Sequence, residues 1–235
     1  MICNRVDAIP AGDTTIPIKP LIDGVINFIC NYLPLFPNAL KNNDISSENE
    51  VEKLLNQYLI IFFNGHSYDY NPYLPYKFIF GKDDENKGTN FKPDIGVTLW
   101  NNQTKNFATQ SFFQIECKRL PIPNISASRS EKEYVIGIAK NTGGIERFKN
   151  KKHGSHLEES AIIAFIQNDT IPNWYSKINS WIKLEVDNKA TNWTNNDYLT
   201  PVSNSATICR YCSFCNRENT NAITLHHFLL ALALN

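Results

Sequence analysis

Two short runs separated by a polar turn constrain this chain more than anything else in it: Lys92-Pro93-Asp94-Ile95-Gly96-Val97-Thr98-Leu99-Trp100 and Phe112-Phe113-Gln114-Ile115-Glu116-Cys117-Lys118-Arg119-Leu120. Both are rich in β-branched and aromatic residues, and the stretch from Asn101 to Asn106 between them is polar and turn-forming, so together they predict a hairpin. If Trp100 faces Gln110 across a loop centred on Lys105, the same register sets Asp94 opposite Glu116. Side chains alternate along a strand, so Glu116 and Lys118 then share a face with Asp94 while Ile115 and Cys117 point to the apolar side. Two carboxylates and an ammonium converge at one strand end. That arrangement suits a divalent cation held by hard oxygen ligands, with a lysine beside a polarised water.

The flanking segments give this hairpin a setting. Ser47 and Glu50 have capping-box spacing, and Val51, Leu54, Leu55, Tyr58, Leu59 and Phe62 form an apolar stripe, which predicts a helix from about Ser47 to Phe63. Two readings of its acidic start stand: Glu50, or Glu48, reaches toward the hairpin carboxylates, or it only caps the helix and complements its dipole. Tyr76 to Phe80 predicts a strand preceding the hairpin in a meander, and Pro121 and Pro123 end the strand that carries Lys118. Upstream, Met1 to Pro20 reads as an irregular arm, and Ile22, Val25, Ile26, Ile29 and Leu33 mark a packing helix from Leu21.

Downstream, Glu131 to Ala139 reads as helical. In the next segment, Asn141 to Gly154, Ile145 and Phe148 face inward while Arg147, Lys149, Lys151 and Lys152 cluster. Such a helix and loop would contact phosphates by neutralising backbone charge, and the alternative is an ordinary solvated basic face. Ala161 to Ile166 is an unbroken apolar run, expected as a strand buried on both faces, and Trp174, Ile178, Trp181 and Ile182 mark a helix after Pro172. Strand followed by helix implies an α/β domain, a mixed sheet covered on both sides. Ala222 to Leu234 is a core strand or a core helix.

With 235 residues the chain is expected to hold one main domain. We divide it into an arm and packing helix (1–46), a core (47–186) and a C-terminal extension with a Cys-rich loop packed on that core (187–235). The 23 basic residues balance the 23 acidic ones, which excludes a histone-like binder and makes any nucleic-acid footprint local. No basic leader precedes an apolar run and no stretch approaches the ~20 apolar residues of a membrane helix, so a cytoplasmic protein without membrane contact is expected. Of the six cysteines, Cys209, Cys212 and Cys215 with His226 or His227 supply enough ligands for one structural zinc. Small buried thiols are the other reading.

Taken together, Pro93-Asp94, then Glu116-Cys117-Lys118 at a second strand end, a preceding helix with Glu50 and a following helix with Arg147 resemble the PD-(D/E)XK phosphodiesterase superfamily, whose fold is restriction-endonuclease-like. The resemblance runs from about Ser47 to Ile182. It implies that Asp94 and Glu116 bind magnesium or manganese, that the Cys117 carbonyl completes the shell, that Lys118 orients or helps deprotonate the attacking water, and that Glu50 fills the helix-carboxylate position, with Glu48 as fallback. It implies DNA as substrate and a metal-dependent endonuclease as the activity; an RNA-cleaving relative and a catalytically idle nucleic-acid-binding or scaffold protein are the alternatives. The Gly143-Gly144-Ile145-Glu146-Arg147-Phe148 segment is also similar to uncharacterised bacterial nucleases of this fold and favours Arg147 as a substrate contact. No sequence-reading module is recognisable, so we expect an effector of a prokaryotic antiphage defence system, restrained or targeted by a protein partner. Cutting both strands calls for two active sites and hence a homodimer.

Overall fold

The structure is a computed structural model and describes residues 8–11, 14–46, 51–70, 76–83, 92–101, 105, 108, 110–122, 130–190, 192–218 and 221–232, with residues 8–16 described by backbone alone. A seven-stranded mixed sheet carries the fold, in the order β3-β4-β5-β6-β9-β8-β7. Its strands are β3 (Tyr76–Gly81), β4 (Ile95–Asn101), β5 (Phe113–Leu120), β6 (Glu159–Ile166), β7 (Thr200–Asn204), β8 (Ile208–Cys215) and β9 (Ile223–Ala231). β3, β4 and β5 form the expected antiparallel meander, and β5, β6 and β9 then run parallel to one another. A separate antiparallel pair, β1 (Ala8–Ala11) and β2 (Thr14–Pro17), occupies part of what the sequence suggested was an irregular arm.

Helices cover both faces because the central strands are apolar on both. Ala161, Ile163 and Phe165 of β6 pack against α1 (Ile18–Tyr32), α2 (Phe36–Asn42) and α3 (Glu52–Ser67), through residues such as Phe28, Phe36, Leu55, Leu59 and Phe63. The alternate residues Ile162, Ala164 and Ile166 join a second cluster with α4 (Gly144–Lys149) and α5 (Ile171–Asp187), including Ile145, Phe148, Trp174 and Ile178. Such two-sided burial is what an unbroken apolar run encodes. α5 begins as its residues predict, with a proline in the first turn and the Thr170 hydroxyl accepting the Asn173 N–H.

Several boundaries differ from expectation. α1 starts at Ile18 rather than Leu21, and only Glu131–Tyr134 forms a turn of 3₁₀ helix where a longer helix was expected. α3 starts at Glu52 and runs past Phe63 to Ser67; the capping-box residues Ser47 to Glu50 lie outside the described residues. The C-terminal region is not an appendage with a loop of cysteines. Residues Cys209 to Cys215 lie in β8, and β9 inserts between β6 and β8, so this region completes the central sheet.

A side-chain amide locks α3 to the sheet edge. Asn64 of α3 donates to the Phe80 carbonyl at 2.8 Å and accepts the Phe80 N–H at 2.9 Å, satisfying backbone groups of edge strand β3. The amide acts as a surrogate strand and fixes α3 against the meander.

Candidate active site

The hairpin register near the site is the one the sequence predicts: Ile95 pairs with Ile115 and Val97 with Phe113, which places Asp94, one residue further, opposite Glu116. At the other end the strands depart from the expected Trp100–Gln110 pairing, since Leu99 O accepts the Ala108 N–H at 2.9 Å. Asp94 sits in the bend before β4, and its Oδ2 accepts the Cys117 backbone N–H at 2.8 Å. As predicted, Cys117 and Ile115 turn into the α3 side of the core, while Glu116 and Lys118 turn to the other face.

Glu116 is 1% exposed and collects positive charge. Its Oε1 accepts from Lys118 Nζ at 2.7 Å and from Arg147 Nη1 at 2.6 Å. Its Oε2 lies 3.3 Å from His153 Nδ1 and accepts no hydrogen bond. Burial pushes the Glu116 carboxyl upward, but Lys118, His153 and Arg147 outweigh it and hold its pKa down at about 2. Asp94 has no comparable set of cations: burial, with the Glu116 charge beside it, pushes its pKa up to about 8. Burial alone would discharge Lys118, yet the carboxylates of Glu116, Glu52 and Asp94 raise its pKa above the ordinary lysine value, so it stays an ammonium.

The helix carboxylate at this site is Glu52. Its Oε2 accepts the Arg119 backbone N–H at 2.9 Å, and its Oε1 lies 3.9 Å from Lys118 Nζ. Glu50 and Glu48, the residues expected from the sequence, lie outside the described residues. Helix phase is the signal for Glu52: Leu55, Leu59 and Phe63 define the buried stripe of α3, and Glu52 lies three residues before Leu55, one turn back on that side of the first turn.

Of the expected phosphate-binding residues, Arg147 alone reaches this cluster. Lys149 does not serve that role: its ammonium is buried, 2.5 Å from Asp197 Oδ1 and 2.7 Å from the Asn192 carbonyl. It lies four residues after Ile145 and therefore on the same inward face of α4, where Asp197 neutralises it. Lys151 and Lys152, with Lys140, line a separate groove of about 330 Å³. His153 carries no mark in the sequence that would single it out. Gly154, with φ of +55° and its N–H donating to Gln114 Oε1 at 2.6 Å, turns the chain there, and Arg217 binds the carbonyls of Phe148, His153 and Leu157 from inside.

Beside Asp94 opens a cleft of about 430 Å³ between α3 and the β3–β4 connection. Glu52, Asn56 and Asp94 form its acidic and polar floor, and the exposed Lys53, Lys82 and Lys92 rim it. Asn56 Oδ1 is buried and accepts no hydrogen bond.

The carboxylates here are donors of the type a hard divalent cation takes. Among the described residues no three His, Cys, Asp or Glu side chains form a ready-made cage, but Asp94 and Glu116 are adjacent carboxylates, and the Glu116 Oε2 is buried without a hydrogen bond. Three carboxylates, Glu52, Asp94 and Glu116, face two permanent cations, Lys118 and Arg147, so an ionised Asp94 leaves negative charge that a cation would offset.

The expected zinc site is not formed. Cys209 and Cys215 lie on one face of β8 and Cys212 on the other, and six residues of strand separate Cys209 from Cys215 by about 20 Å. His227 faces away from Cys212, with Nδ1 2.9 Å from the Tyr134 hydroxyl and Nε2 2.9 Å from Ser213 Oγ. Burial, with a smaller contribution from His226, pushes its pKa down to about 3, so it is a neutral core residue.

No family model matches the chain, and neither a curated protein nor a solved structure matches it significantly.

Proposed function

We propose that this chain is a magnesium- or manganese-dependent endonuclease that hydrolyses DNA phosphodiester bonds on a restriction-endonuclease-like fold. The observation that carries the reading is the meeting of Glu52, Asp94, Glu116 and Lys118 at one end of the β4–β5 hairpin, beside a lysine-rimmed cleft. Asp94 and Glu116, with the Cys117 carbonyl, would hold the cation. When bound, such a cation supplies a lowered pKa for coordinated water and neutralises charge on the phosphoryl oxygens.

The chain's own groups do the rest. Lys118 remains protonated and presents an ammonium to the negative charge that builds on the phosphoryl group; its contribution is electrostatic. Glu52 tethers the α3 start to β5 and shares the Lys118 charge. Arg147 binds Glu116 through Nη1 and its side chain is 21% exposed, so the guanidinium can take a phosphate oxygen. Lys53, Lys82 and Lys92 would hold the backbone of the strand along the cleft.

Digestion of plasmid DNA and of RNA with magnesium or manganese, comparing wild type with Asp94→Ala and Lys118→Met, tests this. The proposal requires DNA cleavage that both variants lose. If neither polymer is cut and the variants bind nucleic acid like wild type, the enzyme reading fails. Preferential RNA cleavage moves the substrate class. The expectation of a defence-system effector restrained by a partner rests on the sequence alone, and vigorous cleavage by the purified chain would contradict it.

A further inference from the structure

The cysteine run contains chemistry that neither zinc nor the nuclease site absorbs. β8 and β9 pair Cys212 with His226, and on the α1 side of the sheet the Cys212 sulfur lies 3.3 Å from His226 Nδ1. The other ring nitrogen, Nε2, lies 2.9 Å from Glu159 Oε2 at the start of β6. Arg210 Nη2 lies 3.1 Å from His226 Nδ1, and its Nε is buried without a hydrogen bond. A thiol, an imidazole and an orienting carboxylate in series are the parts of an activated sulfur nucleophile.

We infer that Cys212, His226 and Glu159 form a second reactive site, in which the Cys212 thiolate takes small peroxides and is converted to sulfenic acid. The surroundings favour the charged pair. Burial opposes it at both groups and the Arg210 guanidinium opposes the charge on His226, yet the His226 hydrogen bond and charge, followed by Arg210, lower the Cys212 pKa, while the hydrogen bonds of Cys212 and Glu159 raise that of His226. From α1, Lys19 binds Glu159 at 2.7 Å and Asp23 at 2.9 Å, and Cys30 faces Arg210; from β5, the Phe113 ring lies 6.4 Å from His226. Cys30 differs from Cys212 in what acts against burial: Arg210 alone does not offset it, so the Cys30 pKa is raised, whereas at Cys212 His226 joins Arg210 and reverses the sign.

In the reaction the thiolate attacks one peroxide oxygen, an S–O bond forms and the O–O bond breaks. The sulfur gives up two electrons, and the departing hydroxide takes the proton held on His226 and leaves as water. Among the described cysteines access narrows the choice to two: Cys30 and Cys212 are half-buried, whereas Cys117, Cys209 and Cys215 are buried.

The test uses the full chain. Iodoacetamide labelling is followed by peptide mass spectrometry across pH, and dimedone trapping follows one equivalent of hydrogen peroxide. Cys212 is expected to alkylate about tenfold faster than Cys30 at pH 7, with a lower pH midpoint, because thiolate fraction sets the rate. His226→Gln should remove most of that advantage and Glu159→Gln part of it, with the dimedone adduct on Cys212 and absent in Cys212→Ser. Should His226→Gln not fold, Glu159→Gln, altered at a rim carboxylate, gives the same readout. Coincident pH profiles for Cys212 and Cys30, an unchanged rate in Glu159→Gln, or trapping at Cys30 instead would overturn the inference.

Discussion

Glu52 accepts the backbone N–H of Arg119 at 2.9 Å, which ties the first turn of α3 to the strand end that carries Glu116 and Lys118. A carboxylate held this way positions its neighbours as well as itself. Glu52→Gln is therefore expected to lower cleavage by about 10- to 100-fold, the range found for residues that support metal ligands, while Glu50→Gln stays within about twofold of wild type. Single-turnover cleavage of the three proteins decides it; equal losses in both variants would reassign the helix carboxylate.

Asp94 should cost the metal-free protein stability at neutral pH. Its folded pKa of about 8 lies above the ordinary aspartate value, so between roughly 4 and 8 the folded chain holds a proton that the unfolded chain has released. Stability from this group is complete below that interval and declines as pH rises through it. Asp94→Asn keeps an acceptor for the Cys117 N–H and removes the charge. It is expected to melt above wild type at pH 8 in EDTA, by about 2–4 °C for each kcal/mol relieved, to melt close to it at pH 4, and to lose cleavage. Melting curves at the two pH values check the sign.

Lys118 is predicted to act as a fixed cation. Lys118→Met should reduce the single-turnover rate by about 10²–10³-fold, the scale seen on removing one stabilising donor, while DNA affinity changes little. Because its pKa is raised, the pH–rate profile of the wild type should show no rise from a lysine losing its proton below pH 10. Such a rise, absent in the methionine variant, would make it a base.

The lysine at the end of α4 and those just after it should separate cleanly. Lys149→Met leaves Asp197 buried with an unpaired charge and is expected to destabilise the fold by about 3–5 kcal/mol, with DNA affinity unchanged at temperatures where the variant is folded. Lys152→Ala should do the reverse, keeping the melting temperature and reducing the slope of log affinity against log salt by about 1 if that lysine meets a phosphate. Melting and salt-titrated anisotropy on the same two proteins give the answer.

Much of this arrangement is legible in the sequence because period-two alternation is a strong code. The hairpin register near Asp94, the charged and apolar faces of β5, and the two-sided burial of β6 all follow from it. What was not legible depends on partners far along the chain. Nothing local says that Lys149 is neutralised by Asp197 48 residues later, or that Arg217 gathers the carbonyls around His153. The cysteines illustrate the opposite error. A three-residue spacing suggests a ligand loop, but in an extended strand it puts successive cysteines on opposite faces, and only the strand assignment of Ile208–Cys215 reveals that. Ala222 to Leu234, mostly apolar, could not be assigned by pattern at all, since a strand buried on both faces and a buried helix look alike.

The insertion of β9 between β6 and β8 bears on the order of synthesis. β3 through β6 leave the ribosome as a sheet whose open edge is β6, an apolar strand with its backbone groups on that side unpaired until residues 223–231 emerge. Until then neither β7 nor β8 has a neighbour through which to join the sheet, so a nascent chain already holding Asp94, Glu116 and Lys118 lacks the strand that joins the two halves of the sheet. Closure of the sheet beside the site thereby waits for residues 223–231.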